Sequence, residues 1–192
     1  MDSIRSFIAV ELPEELKLEL AQLQEQLSAG NKVQIKWVDP KNIHLTLKFL
    51  GNINTEITGK ITLALEEAAR GISPFLLRVK GLGAFPSLRK VQIVWVGLTG
   101  ELDKLSKLQQ RVDSSLVPLG FIPESRPFAP HLTIARLRDR ATQVERQNLG
   151  RLIAEANYES SHMINVDSVY LMRSQLTNQG PIYNRISSIA LK

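Results

Sequence analysis

Apolar positions that recur at helical spacing predict four helices along the chain. After Pro13, leucines return every three or four residues, and comparable stripes run through three later segments. Proline opens the first stripe, and glycine closes the first two, as is typical of helix ends. The predicted helices cover residues 13–30, 55–70, 101–116 and 141–156.

Runs rich in β-branched and aromatic residues separate these stripes and predict strands. Several of the runs come as neighbouring pairs, which favours antiparallel sheets over a strict parallel arrangement. A segment with three prolines and a glycine, residues 120–130, is interpreted as a loop. The predicted strands cover residues 6–12, 33–38, 42–51, 75–82, 91–98, 130–137, 166–172 and 182–191. The pattern therefore predicts an α+β fold.

One short sequence recurs in the two halves of the chain. Asn42-Ile-His-Leu-Thr-Leu47 resembles Pro130-His-Leu-Thr-Ile134, and each copy lies on a predicted strand. This repeat suggests two similar lobes that each contribute one strand to a shared cleft. Because no long linker or low-complexity segment interrupts the chain, we expect one bilobal domain over residues 1–192.

Composition narrows the classes of function. The chain has no cysteine, which excludes disulfides, thiolate metal sites and cysteine nucleophiles. Its three histidines make it a weak candidate for a transition-metal enzyme, so we expect neither a metal nor a cofactor. The net charge of +5 suits an anionic partner such as RNA or a nucleotide phosphate. No signal peptide or membrane span is recognisable, and we expect a cytoplasmic protein.

Candidate chemistry lies on the polar face of the two repeated strands. Strict alternation puts His44, Thr46 and Lys48 on one face of the first, and His131 with Thr133 on one face of the second. A neutral imidazole can take a proton from water while a protonated one gives a proton to a leaving oxygen. Threonine hydroxyls can donate to the phosphate oxygens between them. These groups suit displacement at a phosphodiester, above all a cyclic one.

The extended motifs resemble those of the two-histidine (2H) phosphoesterases, within them the LigT-like RNA 2′,3′-cyclic phosphodiesterase and 2′-5′ RNA ligase group. The resemblance spans nearly the whole chain. Two of the matching segments surround the histidines, Asn42 to Gly51 and Pro127 to Arg136. The others are Arg5-Ser-Phe-Ile-Ala9, Trp37, Gly83-Ala-Phe-Pro86, Val94-Trp95, Leu171-Met-Arg-Ser174 and Gly180-Pro-Ile-Tyr183.

This resemblance implies a bilobal, pseudo-twofold fold, with two mostly antiparallel sheets around a cleft and helices on the outer faces. It implies metal-independent hydrolysis of RNA 2′,3′-cyclic phosphate ends to 2′-phosphates. Independently of the resemblance, we expect a monomer. In that reaction His44 matches the proton donor to the 3′ oxygen, and His131 matches the proton acceptor that activates water. Thr46 and Thr133 match the hydroxyls that hold phosphate. Some members also join 2′-5′ linked RNA, which the residues leave open.

Three neighbouring side chains have an orientation that alternation alone leaves open. Arg136 matches a basic position that can meet phosphate, but alternation places it opposite His131 unless the strand ends or bulges first, or the side chain returns from the edge of the strand. Alternation along the strand places Lys48 on the same face as His44, toward the cleft. The competing interpretation is a solvated surface lysine. Alternation places Phe49 on the opposite face of the strand, so we expect its side chain in the core. It could stack against a base only if it lay at the end of the strand.

The other candidates are interpreted as mainly structural. His162 has no threonine two residues on, which favours a structural or surface role. Trp37 and Trp95 lie in apolar strands and are expected in the core. Three arginines near the second motif could guide an RNA backbone or simply be solvated; they are Arg126, Arg138 and Arg140.

Two other functions compete with the phosphodiesterase. An RNA-binding module could use a basic cleft without turnover, and His44→Ala would then have little effect. A metallohydrolase could use the same histidines, but two histidines without a carboxylate partner make a poor metal site. Sensitivity to a chelator would separate that class from the other two.

Overall fold

Strands and helices follow one another along the described residues, which are 2–29, 35–178 and 180–192 of this computed structural model. The strands are β1 (Ser3–Val10), β2 (Ile35–Trp37), β3 (Leu45–Asn54), β4 (Phe75–Phe85), β5 (Ile93–Gly100), β6 (His131–Leu137), β7 (Glu159–Val166), β8 (Ser168–Thr177) and β9 (Gly180–Ala190). The α-helices are α1 (Glu14–Ala29), α2 (Thr58–Ala69), α3 (Leu102–Ser115) and α4 (Gln143–Glu155). The predicted α+β class is confirmed.

The strand β7 is the main element that the sequence did not predict. It lies at one edge of the sheet, and its first residues are polar and partly exposed. An edge strand of this kind carries little hydrophobic periodicity, which explains the omission. The strand predicted over residues 42–51 is also corrected, since it begins only at Leu45 after a short 3-10 turn, Pro40–Asn42. Gly30 as a helix end and residues 33 and 34 of a predicted strand lie outside the described residues.

Within the described ranges the strands form one antiparallel sheet in the order β7-β4-β5-β6-β3-β1-β8-β9, with β2 also paired to β6. The two sheets expected from the resemblance are the two halves of this sheet. They meet where β3 pairs with β6, and that pairing consists of Leu45 opposite Leu132. The junction is narrow because β2 pairs with the rest of that edge of β6, while β3 pairs with β1 along its whole length.

The helices cover one face of the sheet and leave the other accessible. Helices α1 and α4 contact the half that contains β4 and β7, while α2 and α3 contact the half that contains β3, β8 and β9. Their apolar side chains and those of the strands beneath form one core. A small cluster of Phe7, Ala9 and Met172 lies on the opposite side of the sheet, which we call the open face. No α-helix in the described ranges has both the length and the apolar character needed to span a membrane.

Each repeated strand contains a β-bulge shortly after its histidine. In β3, Thr46 pairs with Ala9 and Lys48 pairs with Ile8, which leaves Leu47 as an extra residue. A bulge of one residue reverses which side chains face the core beyond it. The alternation assumed from the sequence therefore fails after Leu47.

The bulge in β6 is equivalent. Thr133 pairs with Trp95 and Ala135 pairs with Val94, so Ile134 is the extra residue. The buried side chain of Gln24 in α1 donates its amide to the carbonyl of Ile134 at 2.9 Å. The same carbonyl also accepts from the backbone N–H of Val38 at 2.9 Å, so the carbonyl of the bulge residue has two partners inside the protein.

Candidate active site

The junction of the two half-sheets brings the repeated motifs together. Leu45 and Leu132 pair and point into the core, each fully buried. Extended by one residue on either side, this antiparallel register places His44 opposite Thr133 and Thr46 opposite His131. The ring contact of His44 with Phe7 and the pairing of Thr133 with Trp95 put this group on the open face. The structure thus gathers the four predicted site residues at the junction of the two half-sheets.

Both imidazole rings are held in the same way. Nδ1 of His44 donates to the carbonyl of Asn42 at 2.7 Å, and Nδ1 of His131 donates to the carbonyl of Ala129, also at 2.7 Å. Because a carbonyl oxygen can only accept, Nδ1 carries a proton in each ring, and Nε2 is the atom that can gain or lose one. The Asn42 side chain is itself held by the carbonyl of Pro181 at 2.8 Å.

His44 lies among aromatic side chains. The ring of Phe7 stacks on it with centroids 4.6 Å apart, and Tyr183 presents an edge at 5.2 Å. Burial lowers the pKa of His44, while the Asn42 carbonyl and the Glu11 carboxylate act in the opposite direction. The site therefore contains a histidine whose protonation responds to any further negative charge nearby.

His131 has a similar aromatic support in the other half of the sheet. Phe85 meets its ring edge-on with centroids 5.0 Å apart, and the Trp95 ring lies 6.3 Å away. Trp95 was expected in the core, but its ring belongs to the open face beneath the site, on the same side as its strand partner Thr133. Trp37, by contrast, packs against the main core as expected.

The bulge in β6 decides the orientation of Arg136. Arg136 pairs with Ile93, which shares a strand face with Trp95, so its exposed side chain lies on the open face with the histidines. Simple alternation would have placed it on the other side. Of the explanations considered from the sequence, the bulge is therefore the one that the structure adopts.

The bulge in β3 has the opposite consequence for Lys48. Its side chain is 8% exposed and binds Asp113 of α3, with Nζ also 2.9 Å from the carbonyl of Ile122. Lys48 thus faces the helices, and both interpretations made from the sequence, a cleft residue and a solvated surface lysine, are wrong. It joins β3 to α3 and to the loop that leads to the second histidine.

Phe49 is a second correction with the same cause. It pairs with Phe7, so its ring lies on the open face, where it is 67% exposed. The two rings are tilted, with centroids 6.3 Å apart. A large apolar side chain left exposed beside the candidate site offers a platform for a planar group, and the expected core position is not observed.

Several residues near the histidines received no individual role from the sequence. Glu11 accepts from Arg185, whose Nε lies 2.9 Å from Oε1 and whose Nη2 binds Oε2. Burial raises the pKa of Tyr183, against the opposing effects of Arg136 and Arg5, so its hydroxyl stays protonated near neutral pH. Arg5 lies two residues before Phe7 on the same strand, so alternation could have placed both side chains on one face. No local pattern identifies Glu11, Tyr183 or Arg185.

The remaining candidates lie outside this cluster. His162 is on β7, with Nδ1 2.9 Å from the Glu19 carboxylate of α1. Arg126 lies in the exposed loop before β6, and Arg138 and Arg140 lie in the exposed loop between β6 and α4. In the described part of the chain, no three histidine or acidic side chains are grouped so that they could hold a metal ion.

Comparison with known proteins agrees with the repeat. A family described as "LigT like Phosphoesterase" matches the chain twice, over residues 10–95 and 96–183. A relative from Methanothermobacter thermautotrophicus, named RNA 2′,3′-cyclic phosphodiesterase, is 36% identical over 180 residues, which is 94% of this chain and 95% of that protein.

Solved structures share the fold over the full length. The protein TT0787 of Thermus thermophilus has a TM-score of 0.78 and 27% identity, and the match covers 98% of both chains. The complex of Escherichia coli LigT with 3′-AMP has a TM-score of 0.79 and 22% identity, covering 100% of this chain and 99% of that one. Because its identity is only 22%, the match to LigT supports a shared fold and nothing further.

Proposed function

The chain belongs to the LigT-like phosphoesterase family, and from this premise we propose that it hydrolyses 2′,3′-cyclic phosphate ends of RNA to 2′-phosphates. The observation that carries the proposal is the pair of histidines beside the Leu45–Leu132 junction, each with Nδ1 bound to a carbonyl. The relative named RNA 2′,3′-cyclic phosphodiesterase supports the choice of substrate. All of these side chains come from one chain, so the proposal requires no oligomer.

The reaction divides between the two rings. Nε2 of His131 accepts a proton from water as the water oxygen attacks phosphorus in line with the 3′ oxygen. The bond from phosphorus to the 3′ oxygen breaks, and Nε2 of His44 gives its proton to that oxygen. The product is a 2′-phosphate with a free 3′-hydroxyl. A proton then passes from His131 through solvent to His44, which restores both rings.

Negative charge on the phosphoryl group is held by neutral and cationic donors. The hydroxyls of Thr46 and Thr133 lie on the histidines' face and can donate to the two nonbridging oxygens. Arg136 adds a permanent positive charge on the same face. Together these groups replace a metal ion as the stabilising charge, and we propose that the reaction is metal-independent.

The assignment of His44 as the acid rests on the resemblance of its motif to the family's and on the effect of bound substrate. In the free protein, burial lowers the pKa of His44, and the Asn42 carbonyl and the Glu11 carboxylate oppose this effect only in part. A bound phosphodiester anion adds a negative charge beside the ring and raises its pKa. Binding of substrate therefore charges the proton donor when it is needed.

Phe49 gives the site a place for the base of the terminal nucleotide. The ring is exposed on the open face, next to Phe7 on the neighbouring strand. Stacking on such a ring accepts any of the four bases, which suits an enzyme that acts on RNA ends of different sequence.

A direct assay tests the proposal. A short RNA with a 2′,3′-cyclic phosphate end is incubated with the protein in EDTA, and the position of phosphate in the product is mapped. We expect a 2′-phosphate from the wild type and no product from His44→Ala or His131→Ala. A 3′-phosphate product, or full activity of either variant, would contradict the mechanism.

The same assay separates the competing functions. Loss of activity in EDTA that is restored by a divalent cation would indicate a metallohydrolase. An intact substrate that binds equally well to the wild type and to His44→Ala would indicate an RNA-binding module. With an RNA 5′-hydroxyl in place of water, the same displacement would give a 2′-5′ linkage, which is detected as a longer product.

A further inference from the structure

A groove on the β4–β7 half of the molecule is not used by the proposed reaction. It lies between the loop of residues 86–90 and α4, and its volume is about 370 Å³. Its lining residues are Leu88, Arg89, Gln147, Gly150, Arg151 and Ala154. We call it the arginine groove. We propose that it binds a backbone phosphate of the substrate RNA upstream of the cyclic end, an inference that rests on the proposed function.

The charge of the groove fits an RNA backbone. Arg89 and Arg151 contribute from opposite walls, and both residues are exposed. Neither forms an ion pair with any carboxylate in the described ranges, and no acidic residue lines the groove. Guanidinium groups bind phosphate through paired N–H donors, and the Gln147 amide adds another donor. Leu88 and Ala154 leave an apolar floor that suits a ribose.

The walls of the groove are fixed rather than incidental. A Cβ atom on Gly150 would lie 1.8 Å from the carbonyl oxygen of Leu88, so only glycine lets the loop pack this closely on α4. Arg146 donates to the carbonyls of Val91, Ala141 and Arg138, at 2.5, 3.2 and 3.3 Å. These bonds join α4 to the ends of both neighbouring loops, which reduces the entropy lost when a ligand binds.

The groove lies within reach of the catalytic cluster. Its loop begins directly after Phe85, whose ring contacts His131. Arg89 follows Phe85 by four residues, so the Cα atoms of the two are at most about 14 Å apart. A strand of a few nucleotides covers that distance.

Exposed arginines also lie on the chain segment that runs from the open face to α4. From Arg136 on the open face, Arg138 and Arg140 continue along the loop that leads to α4. Asp139 is the acidic residue of that loop. An RNA strand with its cyclic end between the histidines would thus meet positive charge on its way to the groove.

The inference predicts a selective effect on substrate length. A contact with an upstream phosphate contributes equally to the ground state and the transition state, so its loss raises KM and leaves kcat unchanged. A cyclic mononucleotide has no upstream phosphate and cannot use the contact. The groove therefore makes the protein prefer RNA ends over free 2′,3′-cyclic nucleotides.

The test compares R89A/R151A with the wild type on two substrates, 2′,3′-cyclic AMP and an RNA octamer with a 2′,3′-cyclic end. The control is K60A/K107A, which removes two exposed cations from α2 and α3. We expect R89A/R151A to raise KM for the octamer about tenfold, with kcat and the mononucleotide parameters unchanged. The KM of R89A/R151A should also depend less on salt than that of the wild type.

Equal effects of the two double variants on the octamer would overturn the inference, as would equal effects of R89A/R151A on both substrates. If the wild type hydrolyses neither substrate, the proposed function fails, and binding then tests the groove alone. Fluorescence anisotropy with a labelled octamer would show weaker binding by R89A/R151A than by K60A/K107A. Equal binding in that measurement would overturn the groove assignment.

Discussion

Phe49 and Arg136 occupy the same position in the two halves of the fold. Each lies five residues after a histidine, beyond the bulge of its strand, with its side chain on the open face. The acid–base pair is nearly symmetric, but this position is apolar on one side and cationic on the other. In the proposed reaction, a substrate with a planar base and an anionic phosphate would therefore fit best in one orientation, which would give the two histidines different roles.

The division of labour between the histidines predicts an asymmetric rescue. His44→Ala and His131→Ala should each lose about 10²–10⁴-fold in kcat, the usual contribution of a general acid or base. A cyclic substrate with sulfur in place of the 3′ oxygen has a leaving group that needs no acid, so it should restore His44→Ala but not His131→Ala. Rescue of His131→Ala alone would reverse the assignment, and circular dichroism checks that both variants fold.

The threonine hydroxyls should act mainly on the transition state. Thr46→Val and Thr133→Val keep the side-chain shape and remove one donor each. We expect kcat to fall about 10²-fold for either variant with little change in KM, since charge on the phosphoryl oxygens grows during the reaction. Thr46→Ser and Thr133→Ser retain the hydroxyl and serve as controls. A fall in kcat of the same size in the serine variants would argue against a hydrogen-bonding role.

Phe49 should affect substrate binding and not stability. Because its ring is 67% exposed, Phe49→Ala should leave Tm nearly unchanged. Loss of base stacking should weaken binding of a cyclic nucleotide by about 1–2 kcal/mol. Phe49→Tyr should retain affinity. A large drop in Tm for Phe49→Ala, or an unchanged KM, would contradict the assignment.

Lys48 should show the converse behaviour. Lys48→Met leaves the partly buried Asp113 carboxylate without its cation, which should cost about 3 kcal/mol of unfolding free energy. The double variant K48M/D113L removes both charges and should be less destabilised than Lys48→Met. Urea unfolding measures both values, and kcat of the folded Lys48→Met protein should stay close to that of the wild type. A stable but inactive Lys48→Met would contradict the structural role and would indicate that Lys48 acts in the reaction.

The pKa of His44 predicts a signature that NMR can measure. In the free protein its ring should titrate below the ordinary value of about 6.5, because burial disfavours the charged form. Between these two values the folded state binds fewer protons than the unfolded chain. The contribution of His44 to stability is thus complete above about pH 6.5 and is lost as the pH falls through its lowered pKa.

Two perturbations of that titration test its causes. Glu11→Gln removes a charge that raises the pKa of His44, so it should lower the midpoint further. A bound phosphate anion should raise the midpoint. A wild-type midpoint at or above about 6.5 in the free protein would show that burial does not dominate.

The sequence by itself determined the class of fold and identified the four central residues of the candidate site. Helical stripes and β-rich runs follow from local periodicity, and each His-x-Thr pair is short enough that alternation alone puts both side chains on one face. His44, Thr46, His131 and Thr133 could be named because their motif occurs twice in the chain. The edge strand β7 was not predicted, because its residues alternate without a strong apolar face.

The tertiary structure decided which way the side chains beyond each bulge point. Alternation cannot reveal an extra residue, since Leu47 and Ile134 become bulges only through the register of their partner strands. That register moved Arg136 and Phe49 onto the open face and turned Lys48 toward α3. Glu11 and Tyr183 lie near His44 although they are distant from it in sequence, and the arginine groove likewise combines two distant segments. Only packing brings such residues together. Local pattern identified the groups that the proposed reaction uses, and long-range pairing determined what surrounds them.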